Sequence, residues 1–97
     1  MLLLVRFDCG ADIIDVPQFI IDNVEDYQRE FTAWLSDKNI DHAYWHYENG
    51  VKYGVSFRSD ALVEWLNKFP LADNSDKAKS VVVGIGKYDK ALPSIFF

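Results

Sequence analysis

The chain carries a single cysteine, Cys9, so it can close no disulfide within itself, and the default setting for such a chain is a reducing cytosol. No apolar run approaches the roughly 20 residues that a membrane-spanning helix needs, which speaks against a membrane protein. The opening Met1-Leu2-Leu3-Leu4-Val5 is followed at once by Arg6 and Asp8, and a secretory signal has neither that length nor that charge order. There is no low-complexity segment and no internal repeat beyond a loose strand-helix-strand rhythm. Basic residues are also in short supply: ten Lys and Arg face fifteen Asp and Glu, a net charge of −5. That balance excludes the electrostatic footprint of a nucleic-acid binder.

The remainder is ordinary globular material, 49% hydrophobic and 26% charged over 97 residues, enough for one α+β domain and one core. The charge is unevenly spread. Residues 1–48 hold ten acids against three bases, and residues 49–97 hold five against seven. The acidic half would repel phosphate and steer towards basic partners.

The strongest local signal is His42 to Phe57, HAYWHYENGVKYGVSF, where Asn49-Gly50 separates two runs rich in aromatic and β-branched residues. A two-residue turn there predicts a hairpin in which Glu48 faces Val51, His46 faces Tyr53, Tyr44 faces Val55 and His42 faces Phe57. Alternation then divides the side chains between two faces. His42, Tyr44, His46, Val51, Tyr53, Val55 and Phe57 are the more apolar set and are expected in the core. Trp45, lying across Gly54, and Tyr47, beside Lys52, are expected on the open face.

Along the rest of the chain, Leu2 to Phe7 reads as a strand buried on both faces, with a turn at Cys9-Gly10 and a returning strand over 12–16. Ile20, Val24, Tyr27, Phe31, Trp34 and Leu35 keep helical spacing. The helix begins either near Asn23, where Asp22 and Glu25 suggest a capping box, or near Pro17 with a weak point at Asp22-Asn23. Glu25 and Arg29 are spaced to pair. Ser59 reads as the N-cap of a second helix burying Leu62, Val63, Trp65, Leu66 and Phe69, and Pro70 ends it. Residues 72–80 read as a loop, Val81 to Ile85 as a buried strand, and Ser94 to Phe97 as a short last one. The order β(β)αββαβ(β) predicts a two-layer sandwich: a mainly antiparallel sheet with two helices on one face. A ferredoxin-like arrangement leads, with a rearranged ββαββα sheet as the alternative.

No chemical motif is complete. His42 and His46 are four apart, which on a strand separates them by about 13 Å, too far to share one zinc ion. Cys9 has no signalled base and orienting group. Val83-Gly84-Ile85-Gly86-Lys87 lacks the spacing of a phosphate loop, and Lys52 to Phe57 matches an RNA-binding strand only until Ser56. No metal, cofactor, nucleic acid or membrane is therefore expected, and no enzyme. The leading expectation is a small acidic cytosolic protein-binding module, by analogy an inhibitor or immunity-type protein of bacterial or phage origin. It would use Trp45 and Tyr47 with the acidic helix residues Asp22, Glu25, Asp26, Glu30 and Asp37 against a basic site on a partner. The alternatives are a small-ligand or catalytic site around His42, His46 and Tyr53, and a homodimer formed through an edge strand.

Overall fold

The computed structural model describes residues 1–7, 10–56, 58–87, 89 and 91–96. The turn expected at Cys9-Gly10, the core placement of Phe57 and the last residue of the closing strand, Phe97, fall outside them in whole or part. The elements are β1 (Leu2–Phe7), β2 (Gly10–Asp15), α1 (Gln18–Asp22), α2 (Val24–Ser36), β3 (Trp45–Glu48), β4 (Val51–Val55), α3 (Ser59–Lys68), β5 (Lys79–Ile85) and β6 (Ser94–Phe96).

The chain is α+β, with its strands in two sheets. One has four strands in the order β5-β2-β1-β6, antiparallel except for the β1–β6 pair; the other is the β3–β4 ribbon. These pairings do not give the expected ferredoxin-like arrangement. The element order follows the ββαββα alternative through α3, but among the described residues β3 and β4 pair only with each other.

β1 is the centre of the large sheet, as its unbroken apolar run requires, and Leu3, Leu4 and Val5 are almost wholly buried. Leu3, Val5, Ile14 and Ile95 share one face of the sheet and pack on Ile20, Phe31, Leu35, Leu62, Trp65 and Leu66 from the three helices. The helical spacing read from the sequence is the spacing that is buried, with Val24, Tyr27 and Trp34 at the margin. Phe69 is the exception. It is 48% exposed, its ring edge-on to Trp34 and tilted against Trp65.

The weak point at Asn23 is a real break: α1 ends at Asp22, and Asn23 adopts a non-helical conformation before α2 begins. No capping box forms, because the Asp22 carboxylate accepts from Gln18 Nε2 and the Asn23 amide donates back to the Phe19 carbonyl. Arg29 pairs with Asp26 at 3.0 Å, one residue nearer than the expected Glu25.

The N-cap position of α3 is Arg58, which makes no side-chain capping bond, and not Ser59, whose hydroxyl is drawn inward to the buried carboxylate of Asp12 on β2. The same carboxylate accepts the Gly84 N–H at 2.8 Å. β2 and β5 are out of step there: Ala11 faces Ile85 and Ile13 faces Val82, so Val83 and Gly84 together oppose Asp12. β5 is thus a bulged edge strand and not a buried one. Val81 is 51% exposed and Val83 71%.

Candidate protein-binding site

Asn49 (φ 52°) and Gly50 (φ 79°) both take the left-handed backbone that a two-residue hairpin turn requires, and asparagine and glycine tolerate it best. The register next to the turn is as expected, with Glu48 on Val51 and Tyr47 on Lys52. Beyond it His46 faces Gly54 and Trp45 faces Val55, so Tyr53 is an extra residue on β4. This bulge shifts β3 by one place relative to β4. Trp45 therefore turns inward beside Val55, while His46 and Tyr53, 5.9 Å apart, share the outer side.

The expected faces of β3 are thereby exchanged, and Trp45 is corrected from an offered side chain to an anchor, 8% exposed. Its indole N–H donates to the Ile40 carbonyl at 2.6 Å, and its ring stacks parallel on His42 at 5.0 Å. His42 precedes the strand instead of lying in it. Its Nδ1 accepts the Tyr44 N–H, so Nε2 carries the proton and donates to the Leu35 carbonyl at 2.7 Å. Trp34 closes on the same imidazole at 4.7 Å.

Lys52 completes the anchor. Its ammonium lies 5.3 Å from the Trp45 ring centre, donates to the Lys38 carbonyl at 2.7 Å, and bonds Asp41. The ammonium sits just past the C-terminal end of α2, where the helix dipole favours a cation. The bond and charge of Lys52 hold the Asp41 carboxyl below its ordinary range.

Tyr44 fastens the ribbon to α3. Burial raises its phenol, and Glu64 and Asp60 add to the effect, so its pKa is pushed from 10 up to about 12. A proton held more tightly in the folded state stabilises fully below pH 10, and that contribution is lost as pH rises through about 12. Absorbance titration should accordingly show a tyrosine step near pH 12, and Tyr44→Phe should remove it.

With one face so anchored, the tip is left bare on both sides. Tyr47, on the Trp45 side, is 55% exposed; Val51 and Tyr53, on the other, are 64% exposed each. Of the two aromatic residues expected on the open face, Tyr47 is exposed and Trp45 is buried. Val51 and Tyr53, expected inside from unbroken alternation, are instead on the exposed side. The tell-tale was Gly54, a strand glycine of the kind that marks a bulge.

The acidic residues do not form one patch. Asp22, Glu25 and Asp26 line a shallow open cleft at the α1–α2 break, and Glu30 is exposed one turn further on. Asp37 lies at the other end of α2, roughly 16 Å along the helix from Asp26. Only Asp37 is at the end that receives the ribbon, a few residues before Asp41, which Lys52 bonds. Nor do His42, His46 and Tyr53 converge: His42 is packed on the inner side of the ribbon, and His46, bonded to Ser56 Oγ at 2.6 Å, is on the outer.

No helix among the described residues is long and apolar enough to cross a membrane. No protein-family model matches the sequence, and no curated protein or solved structure is significantly similar to it.

Proposed function

We propose that this chain is a protein-binding module that inserts the tip of its β3–β4 ribbon into a cleft on a partner with a basic rim. The observation that supports it is the two-sided exposure of Tyr47, Val51 and Tyr53 on a ribbon whose base is fixed by Trp45, His42 and Lys52. Aromatic side chains displayed on a rigid support lose little conformational entropy when they are covered, and tyrosine is enriched among residues that dominate binding energy. Glu48, exposed beside the turn, puts a negative charge at that tip, which complements a basic rim and speeds encounter. A small acidic plug for a basic site describes an inhibitor or immunity-type protein, and by analogy that is the class proposed, acting in the cytosol that a lone cysteine suits.

The test is capture of a partner from the native host by the wild type, by Tyr47→Ala/Tyr53→Ala and by Glu25→Gln/Asp26→Gln. The tyrosine pair should weaken capture at least about 30-fold, the loss of a single hot spot of about 2 kcal/mol, without moving the melting temperature. The distant acidic pair should leave it nearly intact. Capture should also fall with added salt, since the screening length shrinks from about 10 Å at 0.1 M to about 3 Å at 1 M. A tyrosine variant that still captures its partner would dispose of the ribbon.

The exposed edge of β5 favours a second reading, self-association. Ser80 to Ile85 carry no charge, and antiparallel pairing with a second copy would leave the two Lys79 side chains about 20 Å apart at opposite ends. Sedimentation should then show mass rising with concentration in the wild type but not in Val83→Lys. A mass independent of concentration in both would remove this reading.

A further inference from the structure

We propose that Asn49 is a site of spontaneous covalent modification, in which the Gly50 backbone nitrogen closes onto the asparagine side chain and releases ammonia. The nitrogen forms a bond to Asn49 Cγ and gives up its proton to solvent; the Cγ–Nδ2 bond breaks, and the amide nitrogen leaves as ammonia. Water then opens the resulting five-membered imide at either carbonyl, giving aspartate or its β-linked isomer. No oxidant, reductant or cofactor enters the balance.

The ribbon tip meets the requirements of this ring closure, and the other four asparagines do not. Both turn residues are exposed, and neither the Asn49 amide nor the Gly50 N–H makes a hydrogen bond among the described residues. Gly50 has no side chain to hinder attack, and even an added Cβ would meet nothing within 4 Å. The Asn67 amide, by contrast, is clamped at both ends by the backbone of Ala78, at 3.0 and 2.7 Å. Asn23 donates to the Phe19 carbonyl and is followed by the first residue of α2. Asn39 precedes β-branched Ile40, whose N–H is already given to the Asp37 carbonyl. Asn74 accepts from the Asp76 N–H, which fixes its side chain.

The left-handed turn must open for the nitrogen to reach Cγ. It sits at the end of a ribbon that pairs with no other strand among the described residues, where local opening costs little. The product places a second carboxylate beside Glu48. The β-linked isomer also lengthens the main chain by one methylene, which a two-residue turn has no room for. The effect on partner capture, though not the chemistry, rests on the ribbon being the binding element.

The experiment is incubation of the folded full-length chain in warm, mildly alkaline buffer, followed by ammonia assay and peptide mapping by mass spectrometry. The Asn49 peptide should convert first, several-fold ahead of those carrying Asn74 and Asn67, into two products of equal mass and different retention. Asn49→Asp should remove the early ammonia. Earlier conversion of another asparagine would overturn the proposal, as would undiminished ammonia release from Asn49→Asp. So would an Asn49 that stays intact in the folded chain while the urea-unfolded chain converts. Partner capture is not read at any step, so the result stands apart from the ribbon's role.

Discussion

Replacing Asp12 with alanine is expected to cost the fold about 3 kcal/mol, because two donors aimed at its carboxylate would be left without a partner. Those donors are the Ser59 hydroxyl at the start of α3 and the Gly84 N–H in the β5 bulge. A chain of this size holds roughly 5–15 kcal/mol in all, so the loss should be plain in the urea midpoint. Asp12 sits opposite Val5 on the helix-facing side of the sheet, a place where an acid without partners would not be tolerated. Its charge also lies at the N-terminal end of α3, where the helix dipole favours an anion. Asp12→Asn should lose only about 1 kcal/mol, since the Ser59 hydroxyl can turn to accept from the new amide. Equal losses for alanine and asparagine would show that packing, and not the bridge, is what matters.

Trp45→Ala should cost about 3–4 kcal/mol, the range for removing a buried tryptophan. The loss combines the cavity beside Val55, the indole bond to Ile40, the stack on His42 and the surface beneath the Lys52 ammonium. Tyr47→Ala, two residues on, should change stability by no more than about 0.5 kcal/mol, because its side chain is mostly in water. Both variants should weaken partner capture, for different reasons: the first frees the ribbon from its base, the second removes a contact. Near-ultraviolet circular dichroism separates them, since only Trp45→Ala should lose the signal of the packed His42–Trp45–Trp34 group. A Trp45 variant as stable as the Tyr47 variant would contradict the bulged register.

The sequence by itself determined the features that depend on near neighbours. Asn49-Gly50 dictated the turn, since few other pairs accept left-handed backbone at both positions. The spacing from Ile20 to Leu35 marked the buried side of α1 and α2, while the sequence left open whether Asp22-Asn23 begins the helix or interrupts it, and the structure shows the interruption. The apolar run of β1 placed it at the sheet's centre. Of the side chains exposed at the ribbon tip, Tyr47 was legible.

What only the tertiary structure decided is which side of each strand is covered. Trp45 is buried because Ile40, His42 and Lys52, which local alternation does not count, give its indole an acceptor and its ring two faces to pack on. The bulge at Tyr53 is what admits it. Ser59 does not cap α3 because an acid 47 positions earlier in the chain takes its hydroxyl. β5 is an edge because β2 alone pairs with it, although Val81-Val82-Val83 has the composition of a buried strand. A turn or a helix repeat is fixed by torsion angles that adjoining residues share. A buried face is fixed by whatever distant surface arrives to cover it, and a one-residue slip in a strand is enough to exchange the two sides.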